Sequence, residues 1–386
     1  MTTSTLSEIV EAWGGLIQTG PFGSQLHQHD YSEQGIPVVM PKDIRNGRVD
    51  ESGIARIPED KASQLSRHFL KAGSVVFPRR GEISKCAYIN EEQAGFLCGT
   101  GCIKIEPPEE KLRSKFLFYF LGLRQSVEWL ERNAVGTTML NLNTKILGGL
   151  KVPLLAPKKQ DEIVDILSAY DDLIENNRRR IQLLEQAARL LYKEWFVHLR
   201  FPGHEHTRII DGVPEGWEKK PLGELLTLQR GFDLPVSKRK EGCFPICAST
   251  GIKGYHVEAK VKGPSVVTGR SGSLGTVMYV SGDFWPLNTT LWVKEFKLVG
   301  PHYANHLLAS MQLEQYNGGA AVPTLNRNDV HRVDVLSPPS MLLQMFEDQS
   351  HDIVKQIEAL TRMSLKLAAA RDLLLPKLMN GEGRCE

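Results

Sequence analysis

The chain has 386 residues, 41% apolar and 24% charged, with a formal net charge of +2. That length accommodates two or three domains of ordinary globular composition, and no run of eighteen apolar residues predicts a membrane helix. So small a net charge does not announce a nucleic-acid partner, nor does it exclude one, because acidic residues elsewhere can balance a basic face. The opening MTTSTLSEIV lacks the basic and apolar regions of a signal peptide. The expected compartment is therefore the cytoplasm, with the six cysteines as reduced thiols.

Residues 4–153 carry short Val, Ile and aromatic runs broken by Gly, Pro, Asn and Asp. Strands are expected at 36–40, 75–77 and 102–105, and a helix at 115–132. This mixture predicts an α+β fold. The stretch SVVFPRRG (residues 74–81) is an apolar strand that stops at a basic, glycine-ended turn. Cys98 and Cys102 are spaced Cys-x-x-x-Cys, as are Cys243 and Cys247. The pairs occupy unrelated places in the two halves, so buried structural thiols are expected and not a zinc site. His27, His29, His204 and His206 read as solvated loop histidines.

GTTMLNLNTKILGGLKVPLL, from Gly136, leads to Pro157, and from there to about residue 200 the chain has no Pro or Gly. Pro202-Gly203 ends the run, as a helix terminus should. Inside it Ile163, Leu167, Tyr170, Ile174, Asn177, Ile181, Leu184, Ala188, Leu191 and Trp195 alternate steps of four and three. That spacing is a coiled-coil seam, and about forty residues span roughly 60 Å.

Beyond residue 209 the chain repeats itself. SVVTGRSG (265–272) answers SVVFPRRG: Val75, Val76, Arg79 and Gly81 match Val266, Val267, Arg270 and Gly272, each 191 positions on, as Tyr88 matches Tyr279. Gly136, Leu142, Asn143 and Val152 match Gly319, Leu325, Asn326 and Val335, each 183 positions on. Gln18-Thr19-Gly20 resembles Gln229-Arg230-Gly231. Changing offsets mean a shared framework with different loops, and loops carry function. Strands are expected at 266–268, 276–280 and 290–293, and a helix at 302–315.

Shifted by 183, the seam falls on Phe346, Ser350, Ile353, Ile357, Leu360, Ser364, Leu367, Arg371, Leu374 and Leu378. Pro338-Pro339 bounds this second helix, and Pro376 is expected to kink its last turn. Two equivalent domain-plus-helix units related by an approximate dyad pair their helices antiparallel. Asn177 is a candidate for fixing register.

Arginines projecting from a sharp Gly turn can grip phosphate or read guanine with two hydrogen bonds. Arg79, Arg80, Arg270, Ser271 and Ser273 are thus candidate DNA contacts, with Lys42, Lys85 and Lys253 as candidate phosphate contacts. Gln25, His27, Asn141, Asn143, Asn288, Thr289, Asn326 and Arg327 can reach base edges, although Leu142-Asn143 and Leu325-Asn326 also suit turn and helix-cap chemistry. No P-loop, Gly-x-Ser-x-Gly, His-Glu-x-x-His or Asn/Asp-Pro-Pro-Tyr stretch is present. That pattern points to recognition and assembly. A non-catalytic coiled-coil scaffold binding protein or glycan is the alternative.

LLYKEWFVHLRFPGHE from Leu190, VPEGWEKKPLGELL from Val213 and LNLNTKILGGLKVPLLAPKKQDEIVDIL from Leu140 resemble the junctions of the specificity subunit of type I restriction–modification enzymes. The resemblance covers almost the whole chain. It implies two pseudo-symmetric α/β target-recognition domains (1–153 and 201–338) separated by a long antiparallel two-helix coiled coil (154–200 and 339–382). It implies a subunit that performs no chemistry but reads a split double-stranded DNA target. Methyltransferase subunits bringing S-adenosylmethionine would dock on the helices, and restriction/translocase subunits would bring ATP and Mg2+. The chain itself would bind no cofactor. Ile163, Leu167, Ile174, Ile181, Leu184, Leu191, Ile353, Ile357, Leu360 and Leu367 are the seam residues assigned to helix pairing and partner docking.

Overall fold

The structure is a computed structural model that describes residues 2–136, 139–319 and 322–380. Thr137-Thr138 and Ala320-Ala321, inside the two copies of the Leu-Asn stretch, lie outside the described residues, as do residues 381–382 of the expected C-terminal helix. The chain divides into two compact units, Met1–Glu175 with Ser364–Glu386, and Asn176–Met363.

The first unit is built on a four-stranded antiparallel sheet in the order Leu16–Thr19, Cys102–Glu106, Val75–Pro78, Ala87–Tyr88. A three-stranded sheet accompanies it: Ala55–Ile57, Ile36–Val39 and Leu97–Cys98, the last two parallel. Alternation along VVF explains the layering. Val75 and Phe77 enter the core shared with the helices, while Val76 lies in a second core with Val39 and Cys98 of the smaller sheet and Cys102 of the larger. A β-branched run buried on both faces needs no polar positions, and this one has none.

The second unit repeats the plan. Its large sheet runs Leu226–Arg230, Thr290–Phe296, Ser265–Gly269, Val277–Val280, and its small sheet Gly251–His256, Phe244–Ala248, Trp285–Pro286, again with the last pair parallel. Val266 joins the helix-side core and Val267 the other. The register repeats as well: Val75 pairs with Tyr88 and Val266 with Tyr279. In each unit the strand leading to the long helix pairs with one at the unit's start, Thr3–Thr5 with Lys151–Pro153 and Glu218–Pro221 with Asp334–Ser337.

The central helix runs Pro157–Tyr192 and continues as a π turn over Lys193–Val197; the C-terminal helix runs Ser340–Met379. All twenty seam positions are buried or half-buried, whereas Leu173, Leu183, Leu190, Met363, Leu365 and Leu373, off the seam, are exposed. The first half of the central helix shares a unit with the second half of the C-terminal helix, and the remaining halves share the other. That is antiparallel pairing. Arg371, the charge interrupting the second seam, donates to Asp171 Oδ1 (2.5 Å), whose Oδ2 accepts from the Tyr119 hydroxyl (2.6 Å). Asn177 is buried and its amide nitrogen has no protein partner. The helix continues through Pro376, with Asn380 N–H donating to the Pro376 carbonyl (3.0 Å).

Three expectations are corrected. The helix expected at 115–132 is two, Ser114–Leu121 and Arg124–Asn133, because Leu123 leaves the helical region to enter the core. The helix expected at 302–315 ends at Ser310. Gln312, at φ 48°, turns the chain so that Leu313 can be buried in a short 3₁₀ turn. Cys98, Cys102 and Cys247 are buried, and burial pushes the Cys98 thiol up to about 12, but Cys243 is exposed.

Two histidines make the second unit sensitive to acid. Burial, then the charge of His351, pushes His302 down to about 4; burial, then His302 and Arg189, does the same to His306. Unfolded histidines titrate near 6.5. Between about 6.5 and 4 the unfolded chain therefore takes up protons that the folded chain refuses, so stability present above 6.5 is lost as pH falls. Glu347, raised by burial, works in the opposite sense within the carboxylate range and offsets part of the loss. The expected net loss is on the order of 2–4 kcal/mol. Urea midpoints measured at pH 7.5 and 5 check it, and equal midpoints would contradict it.

Candidate nucleic-acid interface

The two repeated stretches meet in space. In the first unit Arg79 N–H donates to Gly101 O (2.6 Å), Leu142 N–H to Arg79 O (2.8 Å) and Gly81 N–H to Leu140 O (3.1 Å). In the second, Arg270 N–H donates to Thr289 O (2.8 Å), Leu325 N–H to Arg270 O (2.8 Å) and Gly272 N–H to Pro323 O (3.0 Å). Gly81 and Gly272 have φ of 85° and 87°, a region that disfavours side chains. Each arginine thus sits on a backbone braced between the next strand's entry and the Leu-Asn stretch. Leu142 and Leu325 are buried anchors. Asn143 and Asn326 cap the helices that follow, accepting from Ile146 N–H (2.8 Å) and Asn328 N–H (3.0 Å). They are helix caps, the turn and cap chemistry expected of the two Leu-Asn pairs.

Polar atoms without protein partners gather at these turns. Arg79 Nε, Thr100 Oγ1 and Asn141 Oδ1 are buried and unpartnered in the first unit, and Thr268 Oγ1 and Thr289 Oγ1 in the second. Such atoms cost about 1–3 kcal/mol each unless something satisfies them. Arg270 Nη1 donates to Asn288 O (3.2 Å), and the Asn288 amide bonds Asp233.

Arg79 and Arg270 are half-buried, Ser271 is half-buried and bridged to Thr324, and Arg80 and Ser273 are exposed. Lys42 is exposed in the turn Pro41–Asp43, and the Pro41 ring lies close to Gly101, placing this turn beside Arg79's brace. Lys253 is exposed on the edge strand Gly251–His256, whose preceding turn holds Ser249 against Gly269 and Gly272. Lys85 is half-buried and ion-paired with Glu82, which weakens it as a phosphate ligand. Gln25 is occupied by Phe22 N–H (3.2 Å), and His27 stacks on His29. Arg230, the last residue of its strand, is a further basic residue that no motif singles out. Its only signal was a place in the Gln-x-Gly repeat.

The described residues contain no helix long and apolar enough to cross a membrane. The chain matches the family described as type I restriction modification DNA specificity domain over residues 2–186 and 214–367, two regions that follow its two repeats. It is 25% identical to the MjaIX type I restriction enzyme specificity subunit of Methanocaldococcus jannaschii, across 92% of this chain and 89% of that one. It is 20% identical to the HindI specificity subunit of Haemophilus influenzae, across 81% and 87%. The crystal structure of a type I restriction–modification S subunit from M. genitalium has the same fold, with a TM-score of 0.57 at 18% identity over 98% of this chain and 95% of that one. A tandem of like-built units matched to one family twice leaves a single assignment: the chain belongs to the type I restriction–modification DNA specificity family, as a recognition subunit without catalytic chemistry of its own.

Proposed function

We propose that this chain selects a bipartite double-stranded DNA sequence for a type I restriction–modification complex, each unit reading one half. The observation that carries the reading is the arginine turn, built twice with the same three backbone hydrogen bonds and surrounded each time by different loop side chains. A repeated frame bearing unlike loops suits two unlike half-sites. Arg79 and Arg80 would serve one half and Arg270, Ser271 and Ser273 the other, with Lys42, Lys253 and, less strongly, Lys85 on phosphates. S-adenosylmethionine would enter on methyltransferase subunits, and ATP and Mg2+ on restriction/translocase subunits.

The seam residues, from Ile163 to Leu367, are turned inward, so they serve helix pairing. Partner docking would fall to outward positions. Leu190 and Leu373, 183 positions apart, are 59% and 71% exposed, and offer equivalent apolar contacts for two methyltransferase copies. The test is exchange of residues 1–150 for those of another family member, followed by methylome sequencing of the host. One half of the methylated sequence should change and the other persist. An unchanged methylated sequence would overturn the proposal.

A further inference from the structure

We infer that Arg230 and Arg270 of the second unit clamp one DNA backbone phosphate between their guanidinium groups. The inference rests on the DNA-recognition reading above and adds a site and a ligand group to it. The strands Leu226–Arg230 and Ser265–Gly269 flank the same strand, Thr290–Phe296. Arg230 pairs with Leu291, and so does Thr268. Directly paired residues share a face of a sheet, and residues two apart on a strand share it again. Arg230, Leu291, Thr268 and Arg270 therefore follow one face. It is the helix-side face, since Leu228, Val266, Leu291 and Val293 all lie in that core. The two arginines stand where this face runs out of the core. The strands that carry them are separated by roughly 10 Å, which two side chains of this length can close.

Charge supports the geometry. Among the described residues no carboxylate forms an ion pair with either arginine, and the one hydrogen bond from the Arg270 guanidinium goes to a carbonyl, that of Asn288. Burial, and then the charge of Arg230, hold Arg270 below the usual arginine range. Two cations set together without an acid repel, and an anion between them reverses the sign. A phosphate carries the full charge that does this; a guanine edge does not. Thr268 Oγ1, fully buried on the same face, has no protein partner. The first unit lacks the device. Thr19 stands where Arg230 does, paired with Ile103 as Arg230 is with Leu291, and Arg79 and Arg80 are consecutive residues that point apart.

The experiment uses the chain reconstituted with its methyltransferase subunits. Binding to its bipartite duplex, and to a duplex of unrelated sequence, is titrated over a series of salt concentrations. Arg230→Gln and Arg270→Gln should each weaken binding to both duplexes with little change in the slope of log affinity against log salt, because the remaining arginine still neutralises the phosphate, and the double variant should lower that slope by about 0.9. The methylated sequence should stay the same throughout. Arg230→Lys, which keeps the charge, should bind more tightly than Arg230→Gln and so exclude misfolding as the cause. An unchanged slope in the double variant, a slope lowered by about 1.8 in it, or a changed base preference in the second half-site would overturn the clamp. A wild-type complex that ignores bipartite DNA would instead overturn the DNA-recognition reading itself.

Discussion

Phe346→Ala should destabilise the second unit by about 3–5 kcal/mol, the cost of deleting a large buried aromatic whose site cannot collapse. Phe346 is fully buried, and its ring lies 5.1 Å from that of Phe196, 5.9 Å from His306, 6.1 Å from both Tyr192 and Trp195, and 6.2 Å from Tyr303. Five rings from two helices converge on one residue of a third. Edge-on geometry at these spacings adds to the area buried, and rings already committed to one another cannot move in to fill the space. Four of the chain's six tryptophans, Trp195, Trp217, Trp285 and Trp292, belong to this unit, so the urea midpoint read by tryptophan fluorescence reports on it. A domain holds only about 5–15 kcal/mol in all, so the variant should populate unfolded second unit and lose binding at that half-site. Met341→Ala, 76% exposed on the same helix, should leave the midpoint within about 0.5 kcal/mol. Equal effects from the two would mean that the aromatic cluster does not hold this unit together.

Phe346 also shows which parts of the fold were legible in the sequence. It is the first position of the second seam, found by shifting Ile163 by 183, and both residues are buried. A seam is legible because its period is set by helix geometry alone, and every position of both copies is at least half-buried. The repeated glycines were legible for a similar reason: Gly81 and Gly272 answer the same backbone demand at the same turn. What the repeat could not reveal is chemistry that depends on which strands lie side by side. Arg230 and Arg270 are forty positions apart and are brought together by the strand Thr290–Phe296 between them. A linear alignment shows only that Thr19 and Arg230 differ. Asn143 and Asn326, by contrast, were legible as turn and cap residues, and each caps the helix that follows. The antiparallel pairing was legible from the approximate dyad of the repeat, and the division of each long helix between the two units follows from it.

Gly20 and Gly231, the shortest repeat of all, carry the other large expectation. Each follows the last residue of the first strand of its unit's four-stranded sheet and donates its N–H across to the neighbouring strand, Gly20 to Cys102 O (2.9 Å) and Gly231 to Thr290 O (3.1 Å). A Cβ on Gly20 would lie 2.0 Å from Gly99 O, and one on Gly231 would lie 2.2 Å from Leu287 O. Both obstructions are backbone, so no side chain can swing aside. Gly20→Ala and Gly231→Ala must each force two strand ends apart, at a cost of about 3 kcal/mol, the upper end of what overpacking brings. Gly81 is the control: it has positive φ but open space around it, so Gly81→Ala should cost only about 1–2 kcal/mol of backbone strain. Gly231→Ala also displaces the end of the strand that holds Arg230 from the segment that braces Arg270. DNA affinity should therefore fall with stability at the second half-site, while the first is read as before. Thermal melts of the three variants decide the ranking. A Gly231→Ala protein melting with the wild type would show that this strand end yields at little cost, and the packing argument would fail for both units.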